Sequence, residues 1–558
     1  MSTEENSKKN SVLVQAGILA AASIIVRVIG VLYRAPLTAI IGDEGNGYYG
    51  TAYNIYTIIL MVSSYSIPSA ISKLMAQKLA VQNEEGAQKV FRCALLYGLI
   101  VGALGSVLLY FGAELFVPNV AVCVLRVFAP TVFLFGILGS LRGYFQARGS
   151  MVQTSISQIL EQLAHAVVSL LAAWFLMRFA VSWDHSKSPS QLGAMGAAMG
   201  TGAGVVTALI FMLFCYIRDR RKGNTVSAAS QQTSAKENQF GEIFRETILV
   251  ITPFMLSGVI LNLTTSLNQT IYMNILIRVQ GMAETAATTI YGVFSNKTVV
   301  ITNVPISIAS AVSSAIIPGI SAAYARKDQE DTIRRSKEAI GATALIAIPA
   351  AIGLFVLARP ITMVLFPQME TLPLASSLLR ALSVTVIFYS ISTVCNAILQ
   401  SIGKMHVPLV SAGIAIVIQT VVLVVLLLYS HWDVEALVIC SIIYSVMIFI
   451  IDMICLNRFL QYKQDVRKSY LYPFLCALVM GVAAFVSYEL IYRLAVFVKS
   501  AYFRNAIALI PSILIAVFVY AFALLKSKTV GREMLLHFPK GKTLVRICEK
   551  LHLLPREE

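Results

Sequence analysis

The chain has 558 residues, of which 57% are hydrophobic and 13% charged, with a mean hydropathy of +0.75 and a net charge of +16. Soluble domains carry about 25% charged residues, so this composition excludes a soluble globular domain and implies an all-α polytopic membrane protein. The eight cysteines are scattered, mostly inside apolar runs and with no CxxC, and the six histidines show no ligand spacing. A disulfide framework and a zinc or iron site are therefore not expected, and buried free thiols are. No cleaved signal peptide is expected.

Apolar runs of 20 or more residues recur along the chain, separated by short polar turns. There are about fourteen, at 12–41, 47–80, 88–117, 121–146, 152–180, 191–218, 246–277, 285–320, 338–366, 372–400, 406–430, 435–459, 469–495 and 503–526. The first carries Arg27 near its middle and Arg34 seven residues on. Seven residues are about two turns of a straight helix, which puts both guanidinium groups on nearly one face. An arginine at the centre of a span costs about 2.5–3.5 kcal/mol, so each is expected to face water, a partner charge or a ligand.

The loops alternate in charge. One set is basic, with Lys8, Lys9, Lys73, Lys78, Lys89, Arg92, Arg148, Arg218, Arg220, Arg221, Arg326, Lys327, Lys404, Arg458, Lys463 and the tail after Lys526. The other is short and acidic or neutral, with Asp43, Glu44, Glu114, Asp184, Glu284, Glu370 and Asp433. The positive-inside rule makes the basic set cytoplasmic, with both termini inside, the main exception being the last outer loop with Lys499 and Arg504. Residues 218–242, rich in Ser, Gln and Ala, are expected to be a flexible linker, with six spans before it and eight after.

The two sides of the linker repeat. Residues 128–151 align without a gap with 382–405, sharing Thr131/Thr385, Val132/Val386, Gln146/Gln400, Gly149/Gly403 and Met151/Met405, and 69–92 align with 314–337. Two parallel six-span repeats suit a transporter with its site between halves. The expected domains are residues 1–217, the linker 218–242, residues 243–460, two further helices in 461–526, and a basic cytoplasmic tail at 527–558.

The stretch LRGYFQARGSMVQTSISQILEQLAHAV at 141–167 resembles a signature of the MOP exporter superfamily. The branch is that of the stage V sporulation protein B type of polysaccharide-biosynthesis proteins and the MurJ-type lipid II flippases. SIIVRVIGVLYRAPL at 23–37, SIPSAISKLMA at 66–76 and NVPISIASAVSSAIIP at 303–318 are similar to the same pattern. The resemblance implies two six-helix lobes forming a V around a cavity of alternating access, with the last two helices making a lipid-facing groove. It implies a flippase that moves an undecaprenyl-diphosphate-linked sugar precursor, lipid II first, from the inner to the outer leaflet of the plasma membrane. In that picture Arg27 and Arg34 match cationic first-helix positions, and Lys297 lies about one turn from a cationic eighth-span position. The chain departs from the pattern at Ala147, Gln153 and His165, and Asn268 stands where an Asp is usual.

The residue chemistry agrees with a diphosphate ligand. Guanidinium is planar and always charged and grips two phosphate oxygens at once. The alternatives are a structural ion pair of Arg27 with Glu161, and snorkelling for Arg34 and Lys297. Glu161, in the fifth span, is expected to pair with an arginine or else to carry a coupling proton. Among the intramembrane amides, Gln146 and Asn396 are candidates for sugar hydroxyls, or for ties between helices. Pro68, Pro305, Pro318 and Pro349 are expected to kink their helices. Tyr48, Tyr49, Tyr53 and Tyr56 are expected in an interfacial belt, with sugar stacking second.

No cofactor is expected, and Na⁺ or H⁺ coupling stays open. The expected partners are the lipid-linked substrate and membrane lipids, with no nucleic acid, and the expected state is a monomer. The alternatives are a drug or cation antiporter of the same superfamily, whose sites favour carboxylates, and a membrane transferase. The sequence has neither a Gly-rich phosphate loop nor a paired-carboxylate motif, so the reading is not an enzyme.

Overall fold

A computed structural model of the full chain describes residues 22, 25–65, 67–179, 186–223, 241, 244, 245, 248, 263–404, 406–430, 432–461 and 464–527. The expected linker from 224, the basic tail from 528, the start of the first and seventh spans, Asp184 and Lys463 lie outside these residues. Among them there is no strand. The helices are α1 (Ile25–Leu32), α2 (Arg34–Leu60), α3 (Ile67–Ala80), α4 (Glu84–Phe111), α5 (Asn119–Ala147), α6 (Val152–Phe179) and α7 (Pro189–Gly223). They continue with α8 (Glu284–Gly292), α9 (Val299–Ala325), α10 (Gln329–Val356), α11 (Leu372–Ser401), α12 (His406–Tyr429), α13 (Val434–Leu460), α14 (Tyr472–Leu494) and α15 (Ala501–Lys526). Ten helices among the described residues are long and apolar enough to cross a membrane, or up to eleven with the bent pair at the first span. The protein is an all-α, multi-pass membrane protein.

Several of the fourteen sequence runs are interrupted, for visible reasons. Pro36 has no N–H to give the carbonyl of Leu32, and its ring crowds that carbonyl. The chain answers with a 41° bend between Ile25–Leu32 and Arg34–Ser63. Gly42, at φ 69°, then breaks α2 at the Asp43–Glu44 turn. Pro68 crowds the carbonyl of residue 64, which lies in the π-turn Met61–Tyr65. Pro473 does the same to residue 469 in the π-turn Arg467–Leu471.

The sequence repeat reappears as repeated backbone geometry. Gly149 and Gly403 both end a helix in the left-handed region, at φ 75° and 79°. Each follows the same pair of bonds: Gly149 N to Gln146 O and Ser150 N to Phe145 O, against Gly403 N to Gln400 O and Lys404 N to Leu399 O, all 2.9–3.1 Å. In the other aligned pair, Gln82 and Lys327 sit at φ 56° and 60°. Asn83 and Asp328 follow them and cap the next helix, accepting from Gly86 N at 2.7 Å and Asp331 N at 3.0 Å. Side-chain caps of this kind satisfy an orphan N–H of the first turn.

The described helices form two compact units, residues up to Asn296 with Thr420–Ala436, and Lys297–Gln419 with everything from Leu437. In the first unit small residues let helices touch. A Cβ on Gly98 would meet the Gly136 carbonyl at 2.8 Å, joining α4 to α5. Gly196, Gly200 and Gly204 of α7 lie against the α6 backbone in the same way. In the second unit Gly481 of α14 packs on Ile352 of α10, and Tyr520 of α15 donates to the Leu345 carbonyl at 3.0 Å.

Candidate functional site

The bend at Tyr33 changes what the two arginines share. Arg27 lies on α1 and Arg34 opens α2, so the seven-residue register does not run through one straight helix. Arg27 is exposed, whereas Arg34 is half-buried. Tyr33, Tyr49 and Tyr53 are in electrostatic contact with the Arg34 guanidinium. Among the described residues no carboxylate pairs with Arg34.

The tyrosine cluster is not a belt. Tyr48, Tyr49 and Tyr56 are no more than 2% exposed, and belt rings must reach headgroups. They pack inward: Tyr49 stacks on Tyr53 at 5.6 Å, and Tyr56 stacks on Phe128 at 4.7 Å. Tyr33 and Thr201 place hydroxyls 3.4 and 3.2 Å from His165 Nε2, in a buried cluster joining α6 and α7 to the bend. The departure at His165 thus sits against Tyr33, the residue before Arg34.

Glu161 is paired, but its partner is Arg142 rather than Arg27. Arg142 Nη2 lies 2.6 Å from Glu161 Oε2, and Arg142 Nε donates to Ser157 Oγ at 2.9 Å. Arg142 is 5% exposed and lies over the Phe135 ring at 5.9 Å. The sequence reading passed over Arg142, although it stands inside the motif at 141–167. Its signal was the same as that of Arg27, a guanidinium within an apolar run. Gln146 lies one turn further, in the last turn of α5, and its carbonyl caps the Gly149 turn.

In the second unit Lys297 is 1% exposed. Its Nζ donates to Gln368 Oε1 at 3.1 Å and Thr371 Oγ1 at 2.9 Å and stands 5.8 Å from the Phe366 ring centre. Asn396 meets a group that sequence reasoning missed. Asp452 of α13 is completely buried and accepts from the hydroxyls of Ser392 and Ser411, the latter at 2.8 Å. With its amide nitrogen turned to pair donor with acceptor, Asn396 lies 2.9 and 3.3 Å from the two Asp452 oxygens. An acid deep within the apolar run 435–459 was the available signal.

The sequence comparisons place the chain. The family described as "Polysaccharide biosynthesis protein" matches residues 12–324, more than half of it. The chain belongs to the polysaccharide biosynthesis protein family. The MatE family also matches, at 259–425. Among curated relatives it is similar to "Lipid II flippase MurJ" of Bacillus subtilis (strain 168), at 23% identity over 84% of this chain and 86% of that one. "Stage V sporulation protein B" of the same organism is 22% identical, over 73% and 76%. Among solved structures, "Lipid II flippase MurJ, inward closed conformation" has a TM-score of 0.65 at 14% identity, covering 90% of this chain and 97% of that one. An inward-facing multidrug resistance MATE family transporter of the MOP superfamily has a TM-score of 0.61 at 16% identity, over 78% and 94%. These likenesses make the family's fold here that of the MOP transporters.

Proposed function

We propose that this protein is a flippase that carries an undecaprenyl-diphosphate-linked sugar precursor, lipid II first, from the inner to the outer leaflet of the plasma membrane. The observation that carries the reading is Arg34. A half-buried guanidinium with no paired carboxylate among the described residues, set among tyrosine rings, suits an anionic headgroup with an attached sugar. Arg27, one helix segment before it, is the second proposed phosphate contact. Lys297 contributes only by exchanging Gln368 and Thr371 for substrate. Glu161 and Asn396 serve as supports, engaged by Arg142 and Asp452, and Gln146 supports the turn at Gly149 through its carbonyl. The similarity to a lipid II flippase and to a sporulation protein supports the substrate class.

The MatE match and the MATE-like fold favour the second reading, a drug or cation antiporter. A cationic substrate would meet Arg27 and Arg34 near the start of the chain, so the anion reading is preferred. The deciding experiment is rescue of cells depleted of their lipid II flippase. Rescue by the native chain and its loss in Arg34→Ala, at equal protein level, is the expected result. Failure of the native chain to rescue rejects lipid II as substrate.

A further inference from the structure

Asp452 lies eight residues before the end of α13, about 12 Å inside it at 1.5 Å per residue. Removing an ionised carboxylate from water without a partner charge costs several kcal/mol, so such groups pair or take up a proton. Among the described residues no lysine, arginine or histidine pairs with Asp452. Its contacts are all neutral: two hydroxyls and one amide. The titratable groups that face it are the thiols of Cys395 on α11 and Cys455 on α13, with Tyr470 beyond Cys395. Arg380, His406, Glu435 and Arg458, the other charged or imidazole groups of α11, α12 and α13, stand five or more residues along from the cluster, at least about 8 Å of helix rise.

The internal repeat sharpens the contrast. Residues 128–151 align with 382–405, so Asn396 occupies the place of Arg142. In the first half that place carries a guanidinium, which holds Glu161 as a permanent ion pair. In the second half it carries an amide, which adds no charge. A serine hydroxyl both donates and accepts, and an amide offers either end, so the same three side chains serve Asp452 as carboxylate or as carboxylic acid. They already touch it at hydrogen-bond distance.

We infer that Asp452 is a proton-binding site, whose carboxyl takes up and releases one proton to water while Ser392, Asn396 and Ser411 hold it in either state. Its use in transport rests on the flippase reading above: the proton exchanged at Asp452 accompanies the change between inward and outward access.

The test uses the full chain in lipid vesicles treated with dicyclohexylcarbodiimide, which modifies protonated carboxyls in apolar surroundings, followed by peptide mass spectrometry. Asp452 is expected to be modified, at least tenfold less at pH 9 than at pH 5, with Glu161 unmodified throughout. Asp452→Asn, which keeps shape and hydrogen bonding, removes the signal. In Ser411→Ala the anion loses one charge-assisted hydrogen bond, and modification should persist to a pH higher by about one unit. No modification at any pH, or equal modification from pH 5 to 9, overturns the site. An unshifted profile in both Ser392→Ala and Ser411→Ala overturns the role of the cluster. Flipping is read separately: wild type should respond to an imposed pH gradient and Asp452→Asn should not, and equal responses overturn the coupling. Vesicles that modify Asp452 normally but never flip the lipid reject the flippase reading and leave the proton site standing.

Discussion

Glu161 and Arg142 form a pair in which the guanidinium is buried and the carboxylate is half-buried. Breaking a fully buried pair by removing one partner costs about 3–5 kcal/mol, because the other charge stays behind, while replacing both is often neutral; the partial exposure of Glu161 puts this pair below that range. Arg142→Ala should therefore lower the unfolding temperature in detergent and the yield of folded protein. Arg142→Met with Glu161→Gln should recover most of both. A double variant no better than the single one contradicts the pairing. Arg34 behaves otherwise, having no paired carboxylate among the described residues to strand. Arg34→Ala should leave stability almost unchanged and weaken headgroup capture roughly ten- to hundred-fold, the loss of one charge-assisted contact of about 1.5–3 kcal/mol. Arg34→Lys keeps charge without the two-pronged grip and should fall between, as read by binding of the diphosphate lipid to purified protein. The candidate site was half legible at this scale. Intramembrane arginines announce themselves by cost, so Arg27 and Arg34 stood out. Which carboxylate meets which arginine depends on helix rotation, so an arginine partner for Glu161 was legible, but the alternative pairing named Arg27 where the structure has Arg142. Asp452 carried the same signal as Glu161, an acid within an apolar run, but lies outside the motif at 141–167.

Two kinds of glycine separate at the scale of elements. Gly149 and Gly403 have open space around a would-be Cβ but sit at positive φ. Alanine there costs only backbone strain, about 1–2 kcal/mol each. Gly47 is in ordinary helix, yet its Cβ would collide with the Thr288 carbonyl, and Gly292 approaches Gly47 as closely. This close approach joins α2 to α8 and brings Asn296 Nδ2 to within 2.7 Å of the Asn46 carbonyl. Backbone cannot yield as a side chain can, so Gly47→Ala must push α8 away and break that bond. Thermal unfolding should show a larger loss for Gly47→Ala than for Gly149→Ala or Gly403→Ala, and the reverse order would show that α2 and α8 separate freely. Span existence was legible from hydropathy, and the turn at Asp43 from its charge. The π-turns and the bend at Tyr33 were not, because proline announces a disturbance without saying whether the helix bends, widens or tolerates it. That ambiguity hid the bend that lies between Arg27 and Arg34.

For the whole molecule, the 250-residue repeat was legible from few identities because they fall on turn positions, Gly149/Gly403 above all, where backbone conformation restricts the residue. The loop charges bear on orientation. If both termini are cytoplasmic, a cysteine introduced near Ser230 stays shielded from impermeant reagents in intact cells, and labelling there from outside rejects that orientation. The same orientation gives transport an electrical direction. A diphosphate headgroup carries about two negative charges, and the cell interior is negative. Moving each charge outward across 100 mV releases about 2.3 kcal/mol, so full transfer of two releases about 4.6 kcal/mol. The gain is reduced to the extent that protein cations move with the headgroup. Arg27 and Arg34 are fixed to helices that stay in the membrane, so most of the field acts on the lipid rather than on the carrier. A proton returning inward through Asp452 would add a positive charge moving down the same field, and the two effects reinforce each other. Export from vesicles should therefore quicken when the side topologically equivalent to the cytoplasm is made negative. With Asp452→Asn the response to potential should shrink but persist, because the headgroup charge remains. Flipping by the native chain that ignores an imposed potential would contradict a net negative charge crossing with the lipid, and an unchanged response in Asp452→Asn would contradict the added proton.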